Sequence, residues 1–146
     1  MSKIRVTKEF RFEGAHALKD YDGKCRYIHG HSYILFVTVT GEPLSCAGNP
    51  KDGMIIDFTD LKKIVNESII NKFDHALVLN RNAVLAGEIR EKYENVILTG
   101  FQPTCENLTA YFAELLNGKL PKEVKLYKLK LYETATSYVE WYACDN

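Results

Sequence analysis

Near the start of the chain, Ile4, Val6, Phe10 and Phe12 alternate with mostly polar neighbours. A period of two is the pattern of a strand with one apolar face. Residues 31–40 (HSYILFVTVT) are rich in β-branched and aromatic side chains and predict a second strand, ended by Gly41-Glu42-Pro43. The stretch SCAGNPKDG over 45–53 is turn chemistry.

The period then changes. Asp57-Phe58-Thr59-Asp60 opens a helix, with Asp57 or Thr59 as cap and Asp60 in the electrostatically favoured first turn. Leu61, Ile64, Val65, Ile69 and Phe73 follow at helical spacing. Within the irregular stretch 80–103, Val84 to Tyr93 reads as a short helix. Pro103-Thr104 starts another helix, with Thr104 as cap and Leu108, Tyr111, Phe112, Leu115 and Leu116 as its apolar stripe. Gly118 and Pro121 stop it. Two strands follow, about 125–132 and 136–143, with a tight connection at Ala135. The order β, β, α, α, β, β predicts an α+β layer fold: a four-stranded antiparallel sheet with helices on one face. Such a sheet has two free edges, which assembly of several copies would cover.

A chain of 146 residues fits one domain, 1–146, long enough to bury a core. Nineteen basic residues balance nineteen acidic ones, so no broad positive field exists to attract nucleic acid or a membrane surface. The N-terminus, MSKIRVTKEF, has no signal-like apolar run, and no stretch reaches the roughly 20 apolar residues of a membrane span. These features predict a cytoplasmic protein. Four cysteines without a CxxC spacing are then expected as free thiols.

The candidate chemistry is concentrated in histidines. His29 and His31 are two apart at the entry to the second strand, so both imidazoles share a face. His16 ends the first strand in phase with Phe10 and Phe12, and pairing of the two strands brings it beside the others. Three imidazoles on one sheet face, with a fourth position open, make a catalytic zinc arrangement. Two plainer readings stand beside it. His-x-His arises often by chance, and Cys25 could close a structural site as fourth ligand.

Other residues have double readings. A thiol close to a metal and an imidazole loses its proton readily, so Cys25 is also a candidate base or nucleophile. Asp74 could fix the tautomer of His75, or the pair could be ordinary helix-end decoration. Glu133 is in phase with Leu129 and Leu131, where a buried carboxylate needs a cationic or hydrogen-bonding partner such as an amidine-like ligand edge. Alternatively it turns to solvent. Glu106 suits the first turn of its helix as a dipole partner, and Cys46, Cys105 and Cys144 read as packing or incidental thiols.

The segment Cys25 to Tyr33 (CRYIHGHSY) resembles the signature of the 6-pyruvoyltetrahydropterin synthase and 6-carboxytetrahydropterin synthase superfamily. The resemblance continues through FEGAHAL (12–18), GMIIDFTDLK (53–62), Phe73-Asp74-His75, PTCENL (103–108) and Tyr132-Glu133-Thr134, in family order across nearly the whole chain. It implies the tunnelling fold, assembled edge to edge as a homo-oligomer, commonly a hexamer, with active sites between subunits. It implies Zn2+ held by His16, His29 and His31, and Cys25 as the proton-abstracting thiol with Asp74 and His75 as relay. Glu133 would anchor a pterin substrate and share in the relay, with Thr104 and Glu106 lining the pocket. Only three residues separate Cys25 from His29, a spacing that resembles the 6-carboxy branch, which feeds queuosine synthesis. That branch converts 7,8-dihydroneopterin triphosphate to 6-carboxytetrahydropterin, releasing acetaldehyde and triphosphate. The alternatives are the pyruvoyl synthase, which eliminates triphosphate only, and a non-enzymatic zinc-stabilised pterin-binding protein. The stretch from Asn80 to Gln102 is longer than in compact members and is expected to reshape a pocket rim or an interface.

Overall fold

The computed structural model describes residues 2–146. Strands β1 (Ile4–His16) and β2 (His29–Gly41) pair antiparallel along their whole length, from Ile4 opposite Gly41 to His16 opposite His29. On the far side of β2 lie β5 (Lys125–Thr134) and β6 (Ser137–Tyr142), also antiparallel. These are the four strands that the alternation predicts.

The sheet nevertheless has six strands, in the order β4-β3-β1-β2-β5-β6. Beyond β1, β3 (Ala76–Asn80) runs parallel to its last residues, and β4 (Val96–Thr99) runs parallel to β3. The sheet is therefore mixed, not purely antiparallel. Runs of four or five residues are too short to display a period of two, and parallel strands often lack alternation altogether. The expected helix at 84–93 is present as α2 (Ala86–Lys92) and forms the crossover that a parallel β3–β4 pair requires.

Helix α1 (Phe58–Val65) is capped by Asp57, whose Oδ1 accepts from the Thr59 N–H at 2.8 Å. It continues through a π-helical segment (Asn66–Ile70) into a last α-turn (Asn71–Phe73). Leu61, Val65, Ile69 and Phe73 recur at every fourth residue and are all buried. On a 3.6-residue helix each such step drifts about 40° round the axis. The wider π turn absorbs that drift and keeps all four on the core. Helix α3 (Cys105–Leu116) is capped by Thr104, whose hydroxyl accepts from the Asn107 N–H.

Both helices pack on one sheet face. Phe10, Phe12, Tyr33, Leu35, Val37, Leu129 and Leu131 meet Leu61, Ile69, Leu108, Phe112 and Leu116 there. Phe112 stands edge-on to both Phe12 and Phe73. Each fully buried side chain of this size contributes about 1.5–3 kcal/mol. This core grips the strands just beyond the histidine end and fixes their register. Among the described residues, no helix is long and apolar enough to cross a membrane.

Candidate metal centre and active site

The register of β1 and β2 assembles the site. His16 lies directly opposite His29, and His31 opposite Gly14, so the three imidazoles occupy one face at one end of the hairpin. Tyr33 is next in phase on β2, and its ring leans over Gly14: a Cβ there would sit 3.1 Å from the ring. The ligand-capable atoms of His16, His29 and His31 all lie within 4.8 Å of one another.

The hydrogen bonds fix the tautomers. His16 Nδ1–H donates to the Pro103 carbonyl at 2.7 Å, and His29 Nδ1–H donates to the Tyr27 carbonyl at 2.7 Å. A carbonyl only accepts, so both rings carry their proton on Nδ1 when neutral. Their Nε2 lone pairs then face each other at 3.0 Å. His31 Nε2 is buried and, among the described residues, has no hydrogen-bond partner. Burial pushes the His16 pKa below the ordinary histidine value, although the Pro103 carbonyl opposes it; burial also lowers that of His31 against the pull of Glu133. Protonation is thus disfavoured where lone pairs converge. A shared metal ion satisfies this set, since tetrahedral ligands at about 2.0–2.1 Å from zinc are themselves about 3.3 Å apart. The carbonyl partners are the orienting contacts that metal-bound imidazoles require.

Glu133 enters from β5. The β5–β6 register slips between Tyr132 and Thr134, so Glu133 is the extra residue of a bulge. A bulge re-aims its side chain, and Glu133 Oε1 comes to 3.4 Å from His31 Nε2, with the carboxylate largely covered. The solvent-facing alternative for this residue does not hold. Its charge is felt deeper as well. Burial pushes the Cys105 thiol up to about 12, with Glu133 adding to the effect, and Cys105 Sγ is held at the Leu131 carbonyl. The Tyr33 hydroxyl, buried and without a partner, is held neutral by burial and by the same carboxylate.

The remaining expected residues lie apart. Cys25 is half-buried on a 3-10 turn (Lys24–Arg26) just before β2, and its sulfur is not among the converging ligand atoms. Asp74 and His75 follow the last turn of the long helix. His75 Nδ1 is 3.0 Å from Asp74 Oδ1, and that oxygen also accepts from the Glu13 N–H. His75 lines an open depression of about 390 Å3 with Glu13, Ala15, Gly30 and Ser32. Gly14 and His31 line it too, so the depression lies at the end of the hairpin and reaches one member of the trio. Among the described residues, no hydrogen bond or ion pair joins Cys25 or His75 to the trio. Thr104 spends its hydroxyl on the helix cap, and Glu106 is exposed in the first turn of α3.

Three contributors escape sequence reasoning. Gln102 ties the loop after β1 to the Pro103 segment through Lys19, with Nε2–H donating to the Lys19 carbonyl and Oε1 accepting from the Lys19 N–H. Asn95 donates from its amide to the carbonyls of Asp74 and His75. Neither carries a sequence signal. Tyr33 does, because it shares phase with His29 and His31.

Comparison with known proteins gives a consistent picture. The family described as 6-pyruvoyl tetrahydropterin synthase matches residues 5–144. The 6-carboxy-5,6,7,8-tetrahydropterin synthase of Haemophilus influenzae is 32% identical, over 94% of this chain and 98% of the relative. That of Aquifex aeolicus is 31% identical, over 95% and 98%. Among solved structures, 6-pyruvoyl tetrahydropterin synthase from Caenorhabditis elegans superposes with a TM-score of 0.72 at 24% identity, covering 98% of this chain and 97% of that one. An uncharacterised protein from Wolinella succinogenes superposes with a TM-score of 0.77 at 21% identity, covering 98% and 99%. These two likenesses speak for the fold. With the matched region extending over nearly all of the sequence and its sheet, histidine trio and bulged glutamate in place, the chain belongs to the 6-pyruvoyl tetrahydropterin synthase family.

Proposed function

We propose that this protein is a zinc-dependent lyase that converts 7,8-dihydroneopterin triphosphate and water to 6-carboxy-5,6,7,8-tetrahydropterin, releasing acetaldehyde and triphosphate. The observation that carries the reading is the convergence of the ligand-capable atoms of His16, His29 and His31, with the Nε2 lone pairs of His16 and His29 facing each other, beside the Glu133 carboxylate. The 6-carboxy product is favoured by the names of the relatives at about 30% identity. The three-residue gap between Cys25 and His29 points the same way.

His16, His29 and His31 would hold the zinc. When bound, it supplies Lewis-acid polarisation of the substrate's side-chain oxygens. Glu133 offers a carboxylate to the amidine-like edge of a pterin ring, and its partial burial makes that charge-assisted pair strong. Thr104 and Glu106 line the approach to the ring from α3. Cys25 takes a proton at the side-chain carbon, and the Asp74–His75 dyad passes it on.

The dyad's position supports sites shared between copies. His75 is exposed, and among the described residues no hydrogen bond or ion pair ties it to its own trio, so it is free to serve a trio brought to it by another subunit. The sheet also ends on two strands, β4 and β6, whose outer edges lack partners within the chain. A homo-oligomer, in hexameric form, satisfies both. The test combines product mass spectrometry on 7,8-dihydroneopterin triphosphate with metal analysis and light scattering. Expected are 6-carboxytetrahydropterin with acetaldehyde, about one zinc per chain, and an assembly larger than a monomer. A pyruvoyl product would move the chain to the sister activity. An active monomer would end the shared-site reading.

A further inference from the structure

Asp74 and His75 are held in an unusual way. His75 has φ +61, in the left-handed region that a non-glycine residue adopts only under constraint. On one side the constraint comes from β1: His75 N–H donates to the Glu13 carbonyl at 2.6 Å, and Glu13 N–H donates to Asp74 Oδ1 at 2.9 Å. On the other side it comes from Asn95, immediately before β4. Asn95 Nδ2 donates to the His75 carbonyl at 2.8 Å and to the Asp74 carbonyl at 3.3 Å. The Asn95 backbone carbonyl accepts from the Leu77 N–H at 3.0 Å, which docks Asn95 against the first residues of β3. Asn95 itself has φ +33, a conformation asparagine tolerates better than most residues. One side chain from the long 80–102 segment therefore clamps both peptide carbonyls of the dyad.

We infer that Asn95 is a positioning residue for the Asp74–His75 dyad, and that the long segment between β3 and α3 serves to deliver it. The inference rests on the functional reading of the dyad given above. Without the clamp, nothing on the β4 side holds the two carbonyls of a left-handed turn, and the exposed imidazole swings away from the direction in which Asp74 and Glu13 aim it. A reacting group misplaced by an ångström can lose about a hundredfold in rate.

The test is steady-state kinetics on the assembled, metal-loaded protein with 7,8-dihydroneopterin triphosphate. Two variants separate donor from backbone. Asn95→Asp keeps the shape and turn preference but replaces the amide donor by an acceptor. Asn95→Gly keeps the turn and removes the side chain. Both are expected to lower kcat by about tenfold to a hundredfold with KM and metal content unchanged. The decisive arm is a double-mutant cycle with His75→Ala. If Asn95 acts through His75, Asn95→Gly costs nothing further once His75 is gone. Additive losses in the cycle, a rise in KM alone, or full kcat in both Asn95 variants would overturn the inference. Full turnover by His75→Ala alone would instead overturn the functional reading of the dyad, so the two failures are distinguishable.

Discussion

His16 is 2% exposed, locked to a backbone carbonyl and packed against two other imidazoles. His75 has a side chain 75% exposed, a carboxylate for a partner and a strained turn beneath it. The two sit at the same end of one sheet, and among the described residues no hydrogen bond or ion pair joins them. Burial at the first position favours neutral rings whose lone pairs point inward, which is what a metal ion needs. Exposure at the second leaves an imidazole and carboxylate turned outward, which is what a proton relay needs if its substrate arrives with another copy of the chain. The trio comes together within a single chain, whereas the dyad's role as proposed above needs a second copy.

The largest expected effect falls on the buried site. Replacing His29 by Ala should take metal content from about one per chain to near zero and turnover down by about a thousandfold or more, several kcal/mol of lost charge stabilisation. Metal retained at full stoichiometry would break the contrast at its first term. Cys25→Ala sharpens it differently: metal should stay while turnover falls by about 10²–10⁴-fold, the usual worth of a general base. Loss of metal in parallel with rate would make Cys25 a ligand and not a base. Glu133→Gln keeps the shape of the bulge and removes its charge. It should raise KM for the pterin by about tenfold or more, corresponding to one charge-assisted hydrogen bond, with zinc content intact; a pure kcat effect would place Glu133 in the proton relay alone.

Two smaller effects concern stability. Folded His16 and His31 are held below the ordinary histidine value by burial, whereas the unfolded chain titrates near 6.5. As pH falls below about 6.5 the unfolded state binds more protons than the folded state, so stability must drop in that direction. Denaturant midpoints of metal-free protein at pH 7.5 and 5.5 should show that drop, and His31→Asn should reduce it. An unchanged pH slope in that variant would contradict the assignment. The smallest effect belongs to Thr104→Ala, which should cost about 1 kcal/mol through the lost cap. If Tm is unmoved and KM rises instead, the hydroxyl serves the ligand and not the helix.

The buried site was the legible one. His16, His29 and His31 lie on strands long enough to show alternation, and alternation together with pairing decides which side chains meet. Asp57 and Thr104 announce helix starts because capping chemistry is local. What stayed hidden depends on non-local or irregular geometry. Strands β3 and β4 are too short to carry a period, so the sheet gained two parallel strands that the pattern does not contain. The inward turn of Glu133 depends on a bulge, and a bulge is a mismatch between two strands that neither one displays alone. The placement of His75 beside Glu13 follows from β3 lying beside the end of β1, and so is lost with β3. Asn95 is an ordinary polar residue until its neighbours in space are known.

The π turn at Asn66–Ile70 makes the helix before the dyad sensitive to length rather than to composition. Each residue in an α-helix advances the chain by about 100° and 1.5 Å. Deleting one residue there would let the helix close into a regular spiral. Everything after it would rotate by about a quarter-turn relative to Leu61 and Val65 and would retreat along the axis. Phe73 would leave its place beside Phe112, and Asp74 would lose the Glu13 amide. Polar substitutions on the outer side of that segment should be accepted freely, while single-residue insertions and deletions should be purged. The segment acts as a spacer whose count matters throughout, while its spelling matters only where Ile69 and Ile70 meet the core.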